Sequence, residues 1–140
     1  MIPLDLLATA LDHERKSRDF YQAQGKRAWE VEALYDLFAF LAEEEARHER
    51  WLRDFYQIEG ALEVSPAVGA PPVPDALKSL TPEATRDEVL AAAVTSEREA
   101  AAFYERLLDR SGDQKERQLL KTLVEAEEAH ARKIERLMIG

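Results

Sequence analysis

The chain contains no cysteine. That absence excludes disulfides, thiolate zinc sites, iron–sulfur clusters and a cysteine nucleophile, and it leaves oxygen and nitrogen donors for any metal. Basic charge is also short. Nineteen Lys and Arg stand against 28 Asp and Glu, a net charge of −9, so no basic patch is at hand to neutralise nucleic-acid phosphates. No apolar run approaches the roughly 20 residues that a membrane span needs, and Met1-Ile2-Pro3-Leu4-Asp5 lacks the basic region of a secretory leader. A cytoplasmic chain with neither a nucleic-acid nor a membrane partner is expected. At 140 residues and 46% hydrophobic it can build one domain with a core that needs no covalent staples.

What the sequence does have is Glu-x-x-His, twice: Glu45 with His48 and Glu127 with His130. A helix turns once in 3.6 residues, so each pair puts a carboxylate and an imidazole on one face. Both pairs sit where apolar side chains are due. One seam runs Leu34, Phe38, Leu41, Glu45, His48, Leu52, Phe55, and the other runs Leu120, Leu123, Glu127, His130, Ile134, Leu137. With 19 Glu in 140 residues, a His has Glu three places before it by chance about one time in seven, and two such cases come to roughly one in fifty. Exposed pairs of this kind are surface pairs. Interruption of the apolar stripe argues for a buried site instead.

In chain order, Ile2-Pro3 begins a first helix, because proline suits the first helical position. Its stripe is Leu4, Leu7, Leu11, Glu14, Ser17 or Arg18, and Tyr21, so Glu14 also replaces a core residue. Gly25 with Lys26-Arg27-Ala28-Trp29 reads as the turn into a second helix of about 28 residues that ends near Glu59-Gly60. Residues 60–84 are rich in Pro, Gly, Ala and Val and read as an extended linker. A helix of that length spans about 42 Å, which some 20 extended residues can cross, so the linker can return the chain to the other end of a bundle. Thr85-Arg86-Asp87-Glu88 is a capping box for the third helix, with Thr81-Pro82-Glu83 as a competing start. Its stripe is Leu90, Val94, Glu97, Ala101, Tyr104 and Leu108. Ser111-Gly112 closes it, and Asp113-Gln114-Lys115-Glu116 opens a fourth helix that runs almost to Gly140.

The halves repeat. Glu14 with Phe20-Tyr21 recurs 83 residues on as Glu97 with Phe103-Tyr104, and Glu45 with His48 recurs 82 residues on as Glu127 with His130. One Glu from each of two helices and Glu-x-x-His from each of the other two is the ligand pattern of di-iron and di-manganese carboxylate bundles. Four carboxylates crowded into a low-dielectric core would protonate or unfold it, and two divalent cations cancel their charge. Hard oxygens with imidazole suit iron or manganese and do not exclude zinc. His13 lies about 100° round the helix from Glu14 and is matched in the second half by Ser96, so it reads as a surface or edge histidine. Tyr21 and Tyr104, two turns beyond Glu14 and Glu97, read as core aromatics whose hydroxyls orient ligand carboxylates.

These residues, in this order, resemble the rubrerythrin family of ferritin-like proteins over all four helices. The resemblance implies an all-α, ferritin-like four-helix bundle spanning 1–140, with helix pairs 3–59 and 85–138 and a long crossover between helices 2 and 3. It implies two irons per chain, with manganese or zinc as alternatives, forming the di-metal centre at which catalysis occurs. Glu14 and His48 would hold one metal, Glu97 and His130 the other, and Glu45 and Glu127 would bridge. It further implies reduction of hydrogen peroxide, in oxidative-stress defence. Long family members carry a cysteine-ligated rubredoxin iron, so a chain without Cys must take electrons from an external donor protein or a small reductant. Typical members also have a further glutamate one turn after the third-helix ligand, where this chain has Ala100. The alternatives are a ferroxidase that oxidises Fe(II) with oxygen, and a metal-stabilised bundle without catalysis. A homodimer is expected, and the linker would let the helix pairs exchange between chains.

Overall fold

The computed structural model describes residues 1–27, 31–60 and 83–139, and their regular structure is helical throughout. The elements are α1 (Leu4–Arg27), α2 (Glu32–Tyr56), α3 (Arg86–Arg110) and α4 (Gln114–Ile139). They form two compact units, α1 with α2 in one and α3 with α4 and Met1–Pro3 in the other.

In the first unit α1 starts one residue after Pro3, and its buried stripe begins at Leu7, because Leu4 is 64% exposed. The expected turn at Gly25 is not there. Gly25 lies buried inside α1, where an added Cβ would make an ordinary 3.7 Å contact with the Phe38 Cβ of α2, and the helix continues past it. Lys26 and Arg27 form the last turn, where cations complement the helix dipole. Ala28 and Trp29, the remainder of the expected turn, lie outside the described residues. The helices are antiparallel: Gly25 and Tyr21 of α1 meet Phe38, while Glu14, further back, meets His48.

Helix α2 stops at Tyr56, a little short of the expected end. Gln57 takes the left-handed conformation (φ 55°, ψ 51°), and the N–H groups of Gln57 and Ile58 both reach the Arg53 carbonyl. The Arg53 guanidinium then donates to the Gly60 carbonyl at 2.6 Å. Most of the expected crossover, residues 61–82, lies outside the described residues.

In the second unit the capping signals act as their sequence suggests. The Thr85 hydroxyl accepts the Glu88 N–H at 3.2 Å and donates to the Glu88 carboxylate at 3.1 Å. Asp113 accepts the Glu116 N–H at 2.8 Å. The Glu116 carboxylate does not complete the capping box. It turns inward, fully buried, and accepts the Ile2 N–H at 2.9 Å and the Ser111 hydroxyl. Arg117 donates to the Leu108 and Ser111 carbonyls, tying off the end of α3. Arg98 and Glu135 pair across α3 and α4 at 2.6 Å.

The apolar stripes are buried as the period requires: Leu34, Phe38, Leu41 and Leu52 on α2, Leu90, Val94, Ala101 and Tyr104 on α3, and Leu120, Leu123 and Ile134 on α4. Phe55, Leu108 and Leu137, at the stripe ends, are half-buried. Each large apolar side chain so buried contributes about 1.5–3 kcal/mol, the favourable term against which buried carboxylates are tolerated.

Candidate metal centre

Helix α1 contributes Glu14 and α2 contributes Glu45 and His48, one turn apart on its core face. All three are buried. Glu14 Oε2 lies 3.5 Å from His48 Nδ1. The other unit repeats the arrangement: α3 contributes Glu97, α4 contributes Glu127 and His130, all buried, and Glu97 Oε2 lies 3.5 Å from His130 Nδ1. Donor atoms of Glu97, Glu127 and His130 lie within 4.8 Å of one another. Every residue read from the sequence as a ligand is thus brought beside its expected companions within its own helix pair.

Among the described residues, five glutamates and three histidines are buried, and no lysine or arginine is. Burial of a carboxylate costs several kcal/mol unless a counter-charge or hydrogen bonds offset it. Divalent cations bound by carboxylate and imidazole meet that need, so the donor set fits a metal. Burial works against ionisation of Glu14, but the hydrogen bond with Glu45 and the nearby His48 and His13 rings outweigh it and hold the carboxyl at about 2, below its ordinary 4.5. A hydrogen bond between two carboxyls exists only while one carries a proton, which a metal ion would displace.

The surroundings of the two pairs differ. His48 stacks on Trp51 (centroids 5.3 Å apart, planes at 29°), whereas Lys133 stands three residues beyond His130. Glu49, next to His48, is gripped by Arg18 at 3.1 Å and Arg53 at 3.0 Å, which ties α1 to α2 just outside the buried cluster. Tyr21 and Tyr104 are fully buried. The Tyr21 ring packs against Phe20 and Phe38, and Tyr104 against Phe103.

His13 departs from the sequence expectation. It is 2% exposed, neither a surface nor an edge residue, and its ring nitrogen lies within 4.8 Å of carboxylate oxygens of Glu14 and Glu45. The reason is the width of the buried arc on α1. Leu6, Ala10, His13 and Ser17 are buried alongside Leu7, Leu11, Glu14 and Tyr21, two adjacent stripes in place of one. The sequence held a signal for this: Thr9, His13 and Ser17 recur every fourth residue as a column of small or polar side chains, all three buried. Among the described residues, Glu116 was the one buried carboxylate not foreseen.

No helix among the described residues is long and apolar enough to cross a membrane. No curated protein matches the sequence. Among solved structures, a hypothetical protein from Pyrococcus furiosus is similar over 98% of this chain and 89% of its own, with 26% identity and a TM-score of 0.76. The family model for rubrerythrin matches residues 5–138. With nearly the whole chain matched, and with the helices and buried Glu and His residues just described, the protein belongs to the rubrerythrin family and has its all-α, ferritin-like four-helix-bundle fold.

Proposed function

We propose that this chain is a di-iron oxidoreductase that reduces hydrogen peroxide with electrons from an external donor. Family membership supports the di-iron, ferritin-like character. The observation that carries the reading is the duplicated Glu–His pair, 3.5 Å apart in each helix pair and buried with no lysine or arginine buried among the described residues. In this reading Glu14 and His48 would hold one metal, Glu97 and His130 would hold the other, and Glu45 and Glu127 would be shared between them. Manganese or zinc could replace iron at such donors.

Held by these residues, a diferrous pair would supply the two electrons that, with two protons, convert hydrogen peroxide to two waters. The chain's own part is to hold and shield. Leu41 and Leu52 flank Glu45 and His48, Leu123 and Ile134 flank Glu127 and His130, and all four are fully buried, which keeps bulk water from the donors. Tyr21 and Tyr104 orient ligand carboxylates. The electrons come from another protein or a small reductant, since the sequence has no cysteine to carry a rubredoxin-type iron.

One observation favours a second reading. Ala100 is buried one turn after Glu97, where typical rubrerythrins place a further glutamate. A site with one carboxylate fewer suits a ferroxidase that oxidises Fe(II) with oxygen. Stopped-flow mixing of the diferrous protein with each oxidant separates the two. Faster oxidation by peroxide, with electrons accepted again from an added reductant, is expected. Faster turnover with oxygen and accumulating ferric iron would overturn the peroxidase.

A further inference from the structure

The geometry points to His13 as a third imidazole donor, which binds a divalent transition-metal ion together with Glu14 and Glu45. This rests on the metal-binding reading above and adds to it a residue outside the repeated ligand set. His13 and Glu14 are neighbours on α1, and Glu45 reaches them from α2, so the three belong to one compact helix pair. All are buried, and one donor atom of each lies within 4.8 Å of the others. Three donors spread round one ion, each at about 2.1 Å, are ~3 to 3.6 Å apart, so closure of this triad onto an ion takes a movement on the order of an ångström. The carboxylates supply charge and hard oxygen, and the imidazole adds the nitrogen that favours a transition metal over calcium or magnesium.

The second helix pair cannot do the same. Ser96 occupies the position equivalent to His13, equally buried, and a hydroxyl is a poor ligand for such ions. His13 therefore makes the two halves of a near-symmetric chain chemically unequal: two imidazoles beside Glu14 and Glu45, one beside Glu97 and Glu127. The nitrogen-richer half is the one expected to load first, since imidazole raises affinity for late first-row metals.

The test is anaerobic Co(II) loading of the full chain, read by visible absorption and by the hyperfine-shifted imidazole N–H resonances in proton NMR. Three shifted imidazole signals are expected in the wild type and two in His13→Gln, with first-site Co(II) affinity at least about tenfold weaker in the variant. His13→Asn and circular dichroism of the apoprotein control for folding. Should neither variant fold, the count of shifted imidazoles in the wild type still decides. Two signals in the wild type, with Co(II) bound, would overturn the role of His13 and leave the metal centre standing. Absence of Co(II) uptake by the wild type would overturn both.

Discussion

Glu14 Oε2 stands 3.5 Å from His48 Nδ1, longer than a strong hydrogen bond and close to the separation of two donors sharing one ion. Neighbouring ligands, each about 2.1 Å from a metal, are ~3 to 3.5 Å apart. The same 3.5 Å separates Glu97 from His130. Anaerobic Fe(II) titration of the apoprotein is expected to end at about two irons per chain. The double variant Glu45→Ala, Glu127→Ala should take up none, because on the proposed reading each metal would then lose both bridging carboxylates. Unchanged uptake would remove these residues from the ligand set.

The apoprotein should lose part of its stability in acid through Glu14. Its carboxyl is held at about 2 against an ordinary 4.5, so the folded state favours the ionised form, and the contribution is fully present above pH 4.5. It is lost as pH falls through 4.5 toward 2, and it is on the order of 3 kcal/mol. Urea unfolding of wild type and Glu14→Gln between pH 6 and 2 should show a stability gap that narrows as pH drops. A gap that widens in acid would contradict the sign.

Gly25 offers a stabilising substitution. It lies in the interior of α1, and an added Cβ would sit 3.7 Å from the Phe38 Cβ, an ordinary contact. Gly25→Ala should therefore raise stability by about 0.5–1 kcal/mol through helix propensity alone. Differential scanning calorimetry reads this as a rise of a few degrees in Tm. A fall would mean that α1 ends before residue 25, as the sequence had suggested.

Glu116 should matter far more than a helix-start residue ordinarily does. Glu116→Ala strips the acceptor from the Ile2 N–H and the Ser111 hydroxyl, and groups left buried without partners cost about 1–3 kcal/mol each. Glu116→Gln retains one acceptor oxygen and should lose less. Chemical denaturation of both variants measures the difference. Equal, negligible losses would show that the carboxylate faces water.

Helical period and the interruption of an apolar stripe are local properties, and so Glu45 with His48, Glu127 with His130, Glu14 and Glu97 could all be picked out from residue order. Thr85 and Asp113 were legible for the same reason, since a cap reaches only to the next turn. Repetition of the two halves added the all-α architecture and the family resemblance. Three features were read otherwise, each because what packs on or pairs with the residue comes from another part of the chain. Gly25 reads as a turn until Phe38 of the neighbouring helix is laid against it. Glu116 reads as a capping residue until Ile2, 114 residues away, supplies its N–H. His13 reads as a surface histidine until the packing of α1 buries a second stripe beside Glu14. Burial is set by what covers a side chain, and only the folded chain brings the cover.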